Sequence, residues 1–208
     1  MSKLEQLGPY QLEQRPGVFP LGSDALALGR FATVRKGWRV CDLGTGSGVL
    51  LLLLAAREPQ LELFALDQDQ AAADLAEHNL QHNGLEGQIW IGSWSQAPFS
   101  PGSFDLVVSN PPYYAPGSGK DGGPARMERE ELDTLCRAAS RLLRNGGRFA
   151  LSFPTQRMAD LLEVMRRWDL EPKRLKLLSH IPTKPPYALL VEGVRQGKPG
   201  LQVLPCLE

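Results

Sequence analysis

The fold is decided by one stretch: Trp38-Arg39-Val40-Cys41-Asp42-Leu43-Gly44-Thr45-Gly46-Ser47-Gly48, followed by Val49 to Arg57. Trp38 to Asp42 reads as a strand, Gly44 to Gly48 as a tight loop, and Val49 to Arg57 as a helix closed by Pro59. That helix is almost wholly apolar, which predicts that it is buried on every side. Glycines between a strand and a helix let the backbone turn sharply and approach a ligand with no Cβ in the way. Two familiar loops are excluded. A phosphate P-loop ends in Gly-Lys-Ser/Thr, and this one does not. A dinucleotide fingerprint wants Gly or Ala where Val49 stands, and it lacks the acid that closes this strand, Asp42.

Working outward, strands and helices alternate, which predicts a mostly parallel sheet covered on both faces. Before the loop, Met1–Pro20 reads as turn-rich and irregular, and Ser23 as the N-cap of a short helix, Asp24 to Ala32. After it come a strand from Leu61 to Leu66 ending at Asp67, a helix from Ala71 to His82, and a short strand from Gln88 to Ile91. A buried strand, Phe104 to Ser109, runs into Asn110-Pro111-Pro112-Tyr113-Tyr114. Ala115 to Pro124, rich in Gly and Pro, reads as a mobile loop. A helix from Glu128 to Leu143, a strand from Arg148 to Phe153, a helix from Met158 to Trp168 and two closing strands, Lys173 to Leu178 and Ala188 to Val194, complete seven strands. The last two fit an antiparallel hairpin.

Composition narrows the classes. The chain has 208 residues, 42% hydrophobic and 22% charged, as expected of one globular domain. The division expected is an N-terminal extension with a short helix over residues 1–32 and a core over 38–208. The longest apolar run, Val49 to Ala56, is far below the ~20 residues of a spanning helix, and the polar start shows no signal peptide. Three scattered cysteines form neither a disulfide framework nor a metal pair, so a reducing cytoplasm is the simplest compartment. Net charge is zero, but residues 1–119 carry 7 Lys/Arg against 12 Asp/Glu, whereas residues 120–198 carry 16 against 10. Such asymmetry fits either solvated helix faces or a lobe that meets a polyanion.

Asn110-Pro111-Pro112-Tyr113 lies at the carboxyl end of a central strand, where open α/β sheets bind ligands. Two prolines fix the backbone and remove two donors. The Asn side-chain oxygen and the Pro111 carbonyl can then accept from one amino group. Two acceptors favour a pyramidal nitrogen whose lone pair is no longer delocalised into a ring. Tyr113 offers a face for a planar substrate, and base–aromatic stacking is worth about 1–3 kcal/mol. Asp67, closing the second strand, can accept both hydroxyls of a ribose.

The loop DLGTGSG resembles motif I of the class I S-adenosylmethionine-dependent methyltransferases, and NPPY resembles their motif for planar amino or amide nitrogens. The wider chain narrows this further: Gln14, FPLGSDALALGRFA at Phe19 to Ala32, the LDQ of Leu66 to Gln68, HNLQHNGL at His78 to Leu85, NPPYY, and Ala125 to Glu128 resemble the bacterial tRNA(Val) adenine-N6 methyltransferases. So do ALLVEG at Ala188 to Gly193, Gly200-Leu201 and LPCL at Leu204 to Leu207. The resemblance implies an α/β, Rossmann-like class I methyltransferase fold with a seven-stranded, mostly parallel sheet and a closing antiparallel hairpin. It implies S-adenosylmethionine as cofactor, S-adenosylhomocysteine as product and no metal. Cofactor binding falls to Asp42, Gly44, Thr45, Gly46, Gly48, Asp67, Gln68, Ser93, Trp94 and Asn110, and catalysis to Asn110, Pro111, Pro112 and Tyr113. Where the family has Gly-Asp after the third strand, this chain has Gly92-Ser93-Trp94; Ser93 can accept one hydrogen bond and Trp94 can stack on an adenine. The implied partner is nucleic acid, tRNA first, gripped by Tyr113, Lys120, Arg126, Arg129 and Lys184, with a monomer and no membrane expected.

Three other readings compete, the first being an amino-methyltransferase of ribosomal RNA or DNA, which the NPPY motif does not separate from one acting on tRNA. A protein glutamine methyltransferase shares NPPY but carries a helical domain before motif I, for which 41 residues ahead of Asp42 are too few. A degenerate, non-enzymatic relative is opposed by the intact Asp67 and Asn110. His78 and His82 have a ligand spacing but no third partner, so a metal site is not expected. Gly117 to Lys120 is a partial P-loop, read as a lid or substrate loop. Cys41 and Cys136 read as packing residues.

Overall fold

A computed structural model of the chain describes residues 2–111, 124–181 and 183–205, with the backbone alone for 124–130. Its strands are β1 (Lys3–Leu7), β2 (Tyr10–Gln14), β3 (Arg39–Leu43), β4 (Glu62–Asp67), β5 (Gly87–Ile91), β6 (Phe104–Ser109), β7 (Leu143–Pro154), β8 (Leu170–Leu178), β9 (Ala188–Arg195) and β10 (Gln202–Leu204). Its helices are α1 (Ser23–Phe31), α2 (Val49–Arg57), α3 (Gln70–His82), α4 (Pro124–Leu142) and α5 (Met158–Arg167). The main sheet runs β10-β8-β9-β7-β6-β3-β4-β5. The strands from β7 to β5 are parallel, and β9 is antiparallel to both β7 and β8. All seven expected strands are present. A short eighth, β10, is added parallel to the outer edge of β8.

Alternate residues of the central strands enter opposite cores, as period two requires. Cys41, Val107, Phe149 and Leu151 pack under α4 and α5, while Val40, Leu106, Val108 and Ala150 pack with α1 and α2. Cys41 and Cys136 are fully buried packing residues, and burial pushes the Cys136 thiol up. The all-apolar α2 has a specific explanation: Leu50 and Leu54 face α1, and Leu51 and Leu52 face the β1–β2 hairpin with Leu7 and Leu12. It is therefore covered on the sides as well as beneath.

That hairpin corrects the expectation of an irregular N-terminus. β1 and β2 pair antiparallel around a turn in which Gly8 has φ +62°. Their alternation is weak because most of their surface is solvated, and the anchor is a tertiary one on α3. Asn79 accepts from Glu13 N–H (2.9 Å) and donates to Glu13 C=O (2.9 Å), and Asn83 does the same with Gln11 at 2.8 and 2.7 Å. The HN-x-x-HN spacing places these side chains one turn apart on α3, where they pair with the free edge of β2 as another strand would. His78 completes the grip with its Nε2 2.9 Å from a Glu13 carboxylate oxygen, and His82 with a contact to Gln11 (3.3 Å). A second correction is small: Gly22, not Ser23, caps α1, and no side chain bonds the helix end.

In the middle of β9, level with Ala150 of β7, Glu192 is fully buried and gathers Arg148 (2.7 Å), Arg174 (3.2 Å) and Thr33 (2.9 Å), fastening the end of α1 to β7, β8 and β9.

Candidate active site

The chain leaves β3 to one side for β4 and β5, then returns to place β6 on the other side of β3. Such a reversal opens a crevice at the carboxyl ends of the two strands that flank it. Register shows what stands there. Leu43 pairs with Leu66, Asp67 pairs with Ile91, and Asp42 pairs with Val108. One residue on from Leu43 and Ser109, Gly44, Asp67 and Asn110 come level across three adjacent strands. Ser109 Oγ donates to Leu43 C=O (2.6 Å), which ties the two lips of the crevice together.

Gly44, Gly46 and Gly48 all have positive φ, at +80°, +56° and +80°. The two that matter most are the first and last. Gly44 opens the turn in a conformation that favours glycine, and Gly48 sits so close to α3 that a Cβ would lie 3.2 Å from Ala76 Cα. The third glycine thus serves helix packing, and the first two shape the loop. Asn79 reaches this loop as well, donating to Ser47 C=O (2.9 Å). Sequence reading overlooked Asn79. Its signal was an amide on the otherwise apolar face of α3, fully buried in the fold.

Asp67 is half-buried, and each of its oxygens accepts one backbone N–H, from Gly46 (2.8 Å) and from Asp69 (3.0 Å). A carboxylate offers about four acceptor positions, so one on each oxygen is left for a ligand. The neighbouring cap of α3 is Asp69, which accepts from Ala71 N–H at 2.9 Å. Asp67 is not the cap. Gln68 is exposed beside it.

Asp42 is fully buried beneath the loop. Its Oδ2 accepts from Thr45 Oγ1 (2.8 Å), and its Oδ1 has no hydrogen-bond partner. Burial, reinforced by the nearby Asp67 charge and opposed by the Thr45 bond, raises its carboxyl to about 7. A buried carboxylate with one oxygen unanswered is suited to a cationic ligand.

Beyond β5, Ser93 is half-buried, and its hydroxyl meets that of Ser95 (3.0 Å). Trp94 lies against the loop, with its indole Nε1 3.7 Å from the position a Cβ on Gly44 would occupy. Asn110 is half-buried and Pro111 buried. Lys184 is exposed in the β8–β9 connection, on the same edge of the sheet because Ala188 pairs with Pro154 at the carboxyl end of β7. Pro112, Tyr113, Lys120 and the 115–123 part of the expected mobile loop lie outside the described residues, as do the side chains of Arg126 and Arg129. Among the described residues no three His, Cys, Asp or Glu side chains gather to hold a metal ion, and no helix is long and apolar enough to cross a membrane.

Fold and crevice together define an S-adenosylmethionine-dependent methyltransferase with a Rossmann-like sheet. The sequence profile described as "Methyltransferase small domain" matches residues 10–167, and the chain belongs to that family. Among curated relatives, the tRNA1(Val) (adenine(37)-N6)-methyltransferase of Parabacteroides distasonis is 31% identical over 179 residues, covering 83% of this chain and 75% of that protein. The protein of the same name from Porphyromonas gingivalis (strain W83) is 31% identical over 197 residues, covering 88% and 77%. Among solved structures, Atu636 of Agrobacterium tumefaciens, described as a predicted O-methyltransferase, superposes with a TM-score of 0.71 at 20% identity over 86% of this chain and 84% of that one. TrmN of Thermus thermophilus superposes at 0.61 with 28% identity, over 82% of this chain and 48% of that one.

Proposed function

We propose that the chain methylates the exocyclic N6 of an adenine in tRNA, working in the cytoplasm as a single domain with no metal. The observation that carries this reading is the level register of Gly44, Asp67 and Asn110 across the crevice. It sets the strand end at Asn110 level with the glycine loop, which supports reading the first as the acceptor for an amine and the second as the cofactor's seat. The names of the curated relatives support the choice of adenine and of tRNA.

When bound, S-adenosylmethionine supplies an electrophilic methyl group on a sulfonium. Asp42, with its unpartnered Oδ1, suits the amino group of that molecule, Asp67 its ribose hydroxyls, and Ser93 and Trp94 its adenine. Asn110 and the Pro111 carbonyl accept from the two hydrogens of the substrate amine and aim its lone pair. Held there, the amine would take the methyl group at its lone pair as the S–C bond broke, and would give up its surplus N–H proton to water; the departing thioether would be neutral, so no residue would have to act as a general acid. The family resemblance gives catalytic roles to Pro112 and Tyr113, and gives the hold on the substrate to Tyr113, Lys120, Arg126, Arg129 and Lys184.

Catalysis on this scheme is positioning plus one aligned acceptor. Asn110→Ala is expected to lower single-turnover rate by about 10²-fold with little change in cofactor binding. A near wild-type rate overturns the assignment of Asn110. The substrate is tested by incubating the protein with labelled cofactor and separate pools of tRNA, ribosomal RNA, DNA and release factor. Label in N6-methyladenosine of tRNA is expected, and label in protein alone rejects the reading.

A further inference from the structure

The connection between β8 and β9 holds an aromatic pair that neither the core nor the proposed chemistry uses. The rings of His180 and Tyr187 stack with centroids 4.2 Å apart and planes within 9°. Neither residue belongs to a hydrophobic cluster of the fold. Tyr187 is half-buried and His180 exposed, so the imidazole has one face on the tyrosine and the other toward solvent. The pair is held from three directions. Tyr187 Oη meets Ser23 Oγ at the start of α1 (3.1 Å), Tyr187 N–H donates to Leu178 C=O (3.0 Å), and Thr155 Oγ1 donates to Pro186 C=O (2.7 Å). Ser179 Oγ also donates to the carbonyls of Ile181 and Lys184, both at 2.8 Å, bracing the turn between the rings.

Its place in the fold gives this rigid pair a purpose. Ala188, next to Tyr187, pairs with Pro154, three residues beyond Leu151, which pairs with Ser109 just before Asn110. At about 3.3 Å per residue and 4.8 Å per strand, the pair rises above the sheet edge roughly 10–15 Å from Asn110. That is the reach of a few nucleotides at about 3.4 Å per stacked base. Exposed planar rings accept any nucleobase, because every base has a π-face. The exposed Lys184 in the same connection supplies charge for a phosphate.

We infer that His180, backed by Tyr187, is a stacking platform for an unpaired base flanking the methylated one in single-stranded RNA. This rests on the RNA reading above and adds to it a second contact outside the catalytic pocket. The platform splints the strand beside the pocket, so that turning out the target base does not cost the whole grip on the loop.

The test uses the full-length protein and a 17-nucleotide (about one anticodon stem-loop) RNA hairpin carrying 2-aminopurine on either side of the target adenine, one position at a time. With wild type, quenching at one flanking position is expected. His180→Ala is expected to abolish that quench and raise KM for RNA about tenfold, with kcat at saturating RNA and cofactor affinity unchanged. His180→Phe is expected to restore both, because it keeps the flat face and discards the imidazole nitrogens. Tyr187→Phe, which keeps the stack and removes the bond to Ser23, separates the platform from the integrity of the turn, and RNA KM is expected to rise by less than for His180→Ala. If wild type methylates RNA and His180→Ala leaves quench and KM unchanged, the platform is overturned and the RNA reading stands. If wild type methylates no RNA, both fall.

Discussion

Among single residues, Asp42 is a fully buried carboxyl with one oxygen unpartnered. Its carboxyl is raised from 3.8 to about 7, first by burial, so the folded state holds a proton that the unfolded chain has lost. Stability from this group is complete below about pH 3.8 and falls as pH rises toward 7. A cation beside Oδ1 reverses the preference, because it favours the carboxylate. Cofactor affinity is therefore expected to climb with pH up to about 7 and then level. Asp42→Asn keeps an acceptor for Thr45 and removes the buried charge. It is expected to raise Tm at pH 8 while weakening cofactor binding and flattening its pH profile; melting curves and calorimetry at pH 6 and 8 check both, and a lowered Tm at pH 8 contradicts the account. Asp67 behaves differently because it already serves the loop. Asp67→Ala is expected to weaken S-adenosylmethionine by about 1.5–3 kcal/mol, and Ser93→Asp to strengthen it, since a carboxylate accepts where the serine hydroxyl now turns to Ser95. Calorimetric titration of the two variants decides, and unchanged affinity in both removes the ribose and adenine assignments.

Between elements, α3 does two jobs with one face. Asn79 and Asn83 both clasp β2, but only Asn79 continues to Ser47 C=O in the glycine loop. That difference makes a paired experiment. Asn79→Ala leaves buried backbone groups of β2 and the loop without partners, a loss of about 2–4 kcal/mol. It is expected to raise KM for the cofactor severalfold with kcat little changed. Asn83→Ala is expected to lower Tm by less and leave that KM alone. Equal KM values in the two variants refute a link between the hairpin and the loop. The HN-x-x-HN spacing was visible in the sequence as a candidate metal pattern that lacked a third ligand. It is occupied instead by an edge strand from sixty-six or more positions away, and no local pattern carries such a partner.

At the scale of the molecule, the positive half of the chain is less free than its count suggests. Arg144 pairs with Asp105, Arg148 and Arg174 with Glu192, Arg166 with Glu171, and Arg167 with Asp133 and Glu163. Arg141 donates to the carbonyls of Ala97 and Phe99. These arginines fasten α4, α5 and the strands to one another, so the charge asymmetry is in good part internal bracing. Lys184 stands exposed at the carboxyl edge, and Lys120, Arg126 and Arg129 are the other cations proposed for phosphates. RNA affinity is expected to fall steeply with salt, and Lys184→Ala to reduce the slope of log affinity against log salt by about one. Binding measured across a salt series checks this; an unchanged slope removes Lys184 from the interface.

Sequence alone determined the sheet-and-helix alternation, the buried α2, the glycine loop and both strand-end acids, because each is written in short-range chemistry: apolar period, glycine spacing, an acid or amide closing a strand. It also marked Asn110 through its two prolines. The fold decided what long-range pairing decides. The hairpin formed because two asparagines of α3 answer its edge, and β10 because β8 leaves a free one. Strand order brought Gly44, Asp67 and Asn110 level, and placed Tyr187 against Ser23, 164 positions earlier in the chain. Those juxtapositions depend on which strands become neighbours, and that choice is made by burying both faces of the sheet at once.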